Sequence, residues 1–233
     1  MVHQSLETFY KQWLGQELKV EALQEAIKKA PQEVALQFEK EYSREPLTRG
    51  KNLLIFEVAK RYVLNFLKLE IKELKLGNRI RIQQVESSLK SRLHIPELNF
   101  PVYIHGNVDR VDTYNGLLRI IDYKTGKVLQ NQVEIADWEA LNTDYDKYGK
   151  TFQILTYASM LHDASPFTQA EAGIISFKNL QSGFLKFSQK DKDRKGVKDP
   201  VINEEVLQAF QEQLKQLLIE ICDPDVPFLE KEV

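Results

Sequence analysis

Val102-Tyr103-Ile104-His105-Gly106-Asn107-Val108-Asp109-Arg110-Val111-Asp112-Thr113, then Tyr114-Asn115-Gly116-Leu117, then Leu118-Arg119-Ile120-Ile121-Asp122-Tyr123-Lys124: two β-rich runs are joined here by Asn-Gly. Asn-Gly between such runs is the strongest short-range hairpin signal, because a type I′ turn needs positive φ at both central residues. With Asn115 and Gly116 in those positions, Tyr114 faces Leu117 and the rest of the register follows. Val111 faces Ile120, Asp109 faces Asp122, and Asn107 faces Lys124. All six side chains share one face, since alternate strand residues point the same way. On the other face the register sets Asp112 against Arg119 as a simple ion pair.

Like charges directly opposite each other destabilise a sheet, so Asp109 against Asp122 calls for a compensating cation. Mg²⁺ prefers oxygen ligands and takes one or two protein carboxylates, which leaves places for water and phosphate. Lys124, two residues past Asp122, is placed to hold or help deprotonate an attacking water. The plain alternative is an ordinary exposed face on which a lysine neutralises two acids.

Upstream of the hairpin, Leu6, Phe9, Tyr10, Trp13, Leu14 and Leu18 recur at helical spacing and predict an amphipathic helix. Pro31 is placed to open a second helix reaching about Tyr42, and Pro46 to break the chain before a third. In that third helix Leu53, Leu54, Phe56, Val58, Val63, Leu64, Phe66, Leu67 and Ile71 are apolar on more than one side. This predicts burial between layers, with Gly77 as the stop. The period then falls to two. Ile80, Ile82 and Val85 mark a strand of imperfect alternation, carrying Glu86, and a further strand is expected before Pro96.

Downstream, residues 128–150 form a long polar connection containing Trp138, Tyr145 and Tyr148, three rings able to stack on unpaired bases or to anchor the loop. A helix is expected from Thr151 to His162, strands from Ala172 to Phe177 and from Phe184 to Phe187, and a last helix from Asn203 to Glu220. Between them Lys186, Lys190, Lys192, Arg194, Lys195 and Lys198 crowd a loop, as a phosphate-neutralising patch or a solvated hairpin tip. The pattern is α/β: a central mixed sheet flanked by helices, with an N-terminal helical layer. We read one domain over 1–233, made of a helical layer (1–77), a core carrying the site (78–188) and a C-terminal loop and helix (189–233).

Composition narrows the reading further. At 233 residues and 42% hydrophobic, the chain can bury one sizeable core. A single cysteine, Cys222, excludes an internal disulfide framework and any four-cysteine zinc or iron–sulfur cage, and suits a reducing, cytoplasmic compartment. No apolar run is long enough for a membrane span. A net charge of −2 gives no global attraction to nucleic acid, so any such binding rests on local patches or a bound cation. Thr48-Arg49-Gly50-Lys51 is not a G-x-x-x-x-G-K-S/T phosphate loop, so no motor is encoded.

The elements G-x-x-D-R-x-D (Gly106 to Asp112) and D-Y-K-T-G (Asp122 to Gly126), with their spacing, resemble the nuclease domain of RecB- and AddB-type helicase–nucleases within the PD-(D/E)XK superfamily. The resemblance covers mainly residues 80–160. It implies a restriction-endonuclease-like core and Mg²⁺- or Mn²⁺-dependent hydrolysis of DNA phosphodiesters. The expected substrate is single strands or ends, in repair or recombination, and the expected partner is a helicase subunit or the rest of a longer parent chain.

Residue by residue, the resemblance implies that Asp109, Asp122 and the Tyr123 backbone carbonyl bind metal and that Lys124 handles the water. Gln153 and Tyr157, matching a Q-x-x-x-Y element, position substrate. His3, in His3-Gln4-Ser5-Leu6-Glu7, matches the family's N-terminal metal-reaching histidine without its preceding glycine; alone it reads as an exposed terminal side chain. Glu86 matches a loosely placed upstream acid; alone it reads as a solvated strand carboxylate. The iron–sulfur cluster of AddB-type relatives has no cysteines here to hold it. A rival reading is a catalytically silent nucleic-acid-binding or scaffolding module of the same fold. A third is a structural domain whose acids bind Ca²⁺ or nothing.

Overall fold

In the computed structural model, which describes residues 1–42, 49–190 and 198–227, the hairpin lies at the middle of the sheet. The strands are β1 (Ile80–Leu93), β2 (Val102–Tyr114), β3 (Leu117–Lys124), β4 (Glu134–Ile135), β5 (Ala170–Ser176), β6 (Phe184–Lys186), β7 (Ser188–Lys190) and β8 (Lys198–Asp199). The main sheet has the order β1-β2-β3-β5-β6, while β4, β7 and β8 form a small second sheet. Only β3 and β5 run parallel in the main sheet, Asp122 beside Ile174 and Lys124 beside Ser176. The fold is therefore mixed α/β, as the sequence predicts. No helix among the described residues is long and apolar enough to cross a membrane.

The turn forms as expected: Asn115 and Gly116 have φ of 52° and 91°. From it the register runs Tyr114↔Leu117, Thr113↔Leu118, Asp112↔Arg119, Val111↔Ile120 and Arg110↔Ile121.

Helices α1 (Val2–Tyr10), α2 (Val20–Glu41) and α3 (Gly50–Lys75) form the N-terminal layer. They bury Leu6, Phe9, Leu23, Val34, Val63 and Phe66 against Ile80, Ile82, Ile121 and Tyr123. Helices α4 (Tyr145–Ala164) and α5 (Glu204–Cys222) supply Ile154, Leu155, Ala158, Leu207 and Phe210 against Val108, Val111, Ile120 and Ile174 on the opposite face. Each large aliphatic or aromatic side chain buried this way contributes about 1.5–3 kcal/mol.

Several expectations are corrected. The first helix does not reach Leu18. It ends at Tyr10, followed by a 3-10 turn, and Gly15 has a φ of 73°. The next residues pair with the edge of β1, Gly15 N–H donating to the Ile82 carbonyl and Leu18 N–H to that of Ile80. Leu18 is buried by edge pairing, which helical spacing cannot distinguish from a helix face.

Pro31 lies inside α2, which continues through it because Leu23, Ala26, Ala30, Val34 and Phe38 bury one stripe on both sides. Pro46 lies outside the described residues. In α3, Leu54 is 64% exposed, so the N-terminal half of that helix is not buried between layers. It does stop before Gly77, whose φ is 91°. The two upstream strands are one, with a bulge between Ile82 and Gln84 that explains the imperfect alternation. Helix α4 begins at Tyr145, earlier than expected, capped by the Asp144 side chain.

Candidate active site

Strict alternation would place Val108 and Arg110 on the same face of β2. They lie on opposite faces. Val108 joins Val111 in the core beneath α4, while Arg110 reaches Glu70 of α3 and the ring of Tyr10. Strand β1 switches phase at the same level: Val85 packs toward α1–α3 and Leu89 toward α4. The switch on β1 falls at Glu86, whose φ is 46°, and on β2 at Asp109, which the flanking pairs Val85↔Arg110 and Ser87↔Val108 set opposite it. A left-handed conformation at a non-glycine residue costs about 1–3 kcal/mol, and such strain collects at functional sites.

At this break three side chains meet. His3 of α1, Glu86 of β1 and Asp109 of β2 offer ligand atoms that all lie within 4.8 Å of one another. His3 Nδ1 is 3.3 Å from Asp109 Oδ1, and its ring meets that of Tyr123 edge-on. The structure thus joins to Asp109 the two residues that read as ordinary surface groups when taken alone.

Asp122 and Lys124 stand beside this cluster as a pair. The ammonium donates to Asp122 Oδ1 at 3.1 Å; it also lies 2.9 Å from Oδ2, but not aligned as a hydrogen bond. Asp122 Oδ2 is buried, and the Lys124 ammonium is the charge that faces it.

Electrostatics reflect the crowding. Burial, then the neighbouring Asp109, raises Glu86 to about 7. Burial also raises Asp122 to about 6; Lys124 pulls it down and Asp109 pushes it further up. Burial alone would lower His3, but its hydrogen bond to Asp109 and the charges of Asp109, Glu86 and Asp122 outweigh it and raise its pKa. A cation relieves such an excess of carboxylates. Two carboxylates and one imidazole in the cluster, with the Asp122 carboxylate alongside, fit a divalent ion.

One expectation about the acids fails. Pairing between β2 and β3 ends at Arg110↔Ile121, one step short of Asp109 and Asp122, so the two are not a cross-strand pair in the ladder. Asp109 instead accepts the backbone N–H of Tyr123 at 2.5 Å. The expected single face is broken as well: Val111 and Ile120 enter the α4-side core, Asp109 turns to His3, and Asn107 is exposed.

Gln153 and Tyr157 lie one turn apart on α4, the Gln153 amide donating to the Tyr157 hydroxyl at 2.8 Å. The hydroxyl pKa is raised, first by burial and further by the charges of Asp122 and Asp109, against the hydrogen bond from Gln153. The fit at Gly106 is close. A Cβ at that position would lie 3.2 Å from the Tyr157 ring and 3.3 Å from the Met160 methyl.

Beneath the site runs a buried polar network that the sequence reading missed. Arg110 contacts Glu70 at 2.8 Å and Asp112 at 2.6 Å, and Tyr10 donates to Glu70. Asp112 also takes a bidentate contact from Arg119, at 2.8 and 2.9 Å. Asp112 with Arg119 is therefore a buried junction, not a simple ion pair. The available signal was Arg110 itself: an arginine between Asp109 and Val111 on a strand covered on both faces needs buried carboxylates.

The described lysines of the basic loop are committed elsewhere. Lys186 pairs with Glu171, and Lys190 and Lys198 both pair with Glu134, while Lys192, Arg194 and Lys195 lie outside the described residues. Of the three loop aromatics, Tyr148 is a core residue, Trp138 packs at the core edge, and Tyr145 is 78% exposed.

A mixed sheet between helical layers, with acids and a lysine converging where its central strands separate, defines a class of metal-dependent phosphodiester-cleaving domains. The chain belongs to the PD-(D/E)XK nuclease superfamily, whose family model matches residues 1–232. That match spans the chain, well beyond the stretch that carried the sequence resemblance. No curated protein and no solved structure matches it significantly.

Proposed function

We propose that this chain is a Mg²⁺- or Mn²⁺-dependent DNA nuclease of the RecB/AddB type, working on single strands or ends in repair or recombination, with a helicase subunit or further parent chain as partner. The observation that carries the reading is the meeting of His3, Glu86 and Asp109 within 4.8 Å beside the Asp122–Lys124 pair.

In this reading Asp109, Glu86 and His3 hold the cation. The Asp122 carboxylate and the Tyr123 carbonyl complete its protein ligands. When bound, the cation supplies Lewis-acid polarisation of the phosphate and a more acidic water. The chain's own groups do the rest. Lys124, anchored by Asp122, orients the attacking water and offsets charge developing on the phosphate oxygens. The Tyr157 hydroxyl, fixed by Gln153, positions the substrate backbone from the α4 side. The Tyr123 N–H holds the Asp109 carboxylate in one rotamer.

The test is incubation of labelled single- and double-stranded DNA with Mg²⁺, Mn²⁺ or EDTA, for wild type, Asp122→Ala and Lys124→Ala. Cleavage that needs the metal and both residues is expected. Equal cleavage in EDTA, or none in either metal, overturns the reading.

A further inference from the structure

Past Glu86 and Asp109, strands β1 and β2 continue as a two-stranded ribbon to the loop after Leu93. One face of this ribbon is taken. Leu89 is core, Leu93 and Ile104 pack on it, the Ser91 hydroxyl bonds Asp163 of α4, and Gly106 lies under Tyr157.

Among the described residues the other face is uncovered. It carries three cross-strand pairs, Ser88↔Asn107, Lys90↔His105 and Arg92↔Tyr103, all six residues exposed. By alternation these lie on the same side as Glu86 and Asp109, so the stripe starts at the acid cluster. Six residue steps separate Asp109 from Tyr103, a track of about 20 Å at roughly 3.3 Å per residue.

Its positive charge is free for a ligand. Among the described residues neither Lys90 nor Arg92 forms an ion pair, whereas the lysines of the basic loop that are described all do. The Lys90 ammonium stands 4.3 Å over the Tyr103 ring, which fixes the cation above the strand surface. At the far end Arg92, His94 and Phe100 line a groove of about 330 Å³, and Phe100 is 53% exposed.

We propose that this bare face binds a single strand of DNA leading to the metal cluster, with Lys90 and Arg92 on phosphates and Tyr103 and Phe100 against unpaired bases. The proposal rests on the nuclease reading for its direction of travel, since the track matters to catalysis only if the scissile phosphate sits at Asp109. A single strand is favoured over a duplex because exposed rings stack only on unpaired bases, and two cations are few for a duplex backbone. The contacts are to backbone and ring faces, so binding is tolerant of sequence.

The probe is fluorescently labelled oligodeoxythymidylate, titrated by anisotropy in EDTA over a range of salt. Lys90→Ala/Arg92→Ala is expected to weaken binding roughly tenfold or more at low salt, and to flatten the log–log salt slope by about 0.7 for each cation removed. Lys90→Arg/Arg92→Lys should restore both, and Tyr103→Ala should weaken binding without changing the slope. Thermal melts check that each variant is folded. Wild-type affinity and slope in the alanine variant would overturn the track. Stripe-dependent binding with no cleavage in Mg²⁺ or Mn²⁺ keeps the track and sinks the nuclease reading. Metal-dependent cleavage with stripe-independent binding does the reverse.

Discussion

Glu86, with a backbone φ of 46°, stands opposite Asp109 at the level where β1 and β2 both change which residues face the α1–α3 side and which the α4 side. The exchange turns the acids toward His3 and opens the ribbon beyond them. Strain at Glu86 and the convergence of ligands are therefore one feature.

The first prediction separates strain from chemistry. Glycine accepts a φ of 46° without penalty, whereas alanine does not. Glu86→Gly should be more stable in EDTA than Glu86→Ala by about 1 kcal/mol, while both lose most cleavage. Chemical denaturation of the two metal-free variants decides it, and equal stabilities would mean that Glu86 is not strained.

Asp109→Asn removes a charge but keeps an oxygen for the Tyr123 N–H. The metal-free variant should match or exceed wild type in stability, because Glu86 and Asp122 lose a neighbour that raises both. The stabilisation by bound metal, about 2.7 kcal/mol at a hundredfold excess over Kd, should largely disappear. Melts in EDTA and in Mg²⁺ measure both quantities. A destabilised metal-free variant would show that the carboxylate's charge on the Tyr123 N–H and on His3 outweighs the repulsion.

In EDTA, stability should rise as pH falls. Glu86 and Asp122 titrate at about 7 and about 6 when folded, above their ordinary values, so the native state binds protons that the unfolded chain does not. Their stabilising contribution is complete below the ordinary carboxylate range and is lost as pH rises through about 6 to 7. The raised pKa of His3 acts in the same direction. Denaturant midpoints between about pH 8 and pH 5 should gain more in wild type than in Glu86→Gln/Asp122→Asn. Saturating Mg²⁺ should reduce the dependence, since cation and proton compete for the same oxygens. Identical pH profiles would place these carboxylates outside the effect.

The turn, its register as far as Arg110↔Ile121 and the mixed α/β layers were legible because each depends on local chemistry: Asn-Gly for the turn, alternation for the strands, helical spacing for the flanks. What failed depends on a departure from periodicity. The phase switch at Glu86 and Asp109 cannot be read from a pattern that assumes period two throughout, and that pattern makes Asp109 and Asp122 a ladder pair and sets Asn107 on the face of Val111. Pro31 misled because tertiary burial of Ala30 and Val34 overrides a helix-start signal. The open stripe was invisible for another reason: Lys90, Arg92, Tyr103 and His105 form no run in the sequence and are gathered only by strand pairing.

The last prediction concerns Arg110, which ties β2 to α3 immediately beside Asp109. Its guanidinium is 1% exposed and stacks 4.5 Å over the Tyr10 ring. Burial alone would favour losing the proton, but Glu70 and Asp112 outweigh it and hold the group charged. Removing the cation leaves two acids buried without it, a loss of about 3–5 kcal/mol for breaking a buried ion pair. At roughly 2–4 °C per kcal/mol for a chain of this size, Arg110→Met should lower Tm by about 6–20 °C. Arg110→Lys should recover little, because a single ammonium cannot replace the planar fork that spans Glu70 and Asp112. Adding Glu70→Gln to Arg110→Met should restore part of the loss, since it removes one uncompensated charge, and the double-mutant cycle should give a coupling of about 0.5–3 kcal/mol. Strictly additive losses in calorimetry would show that Arg110 and Glu70 do not depend on each other.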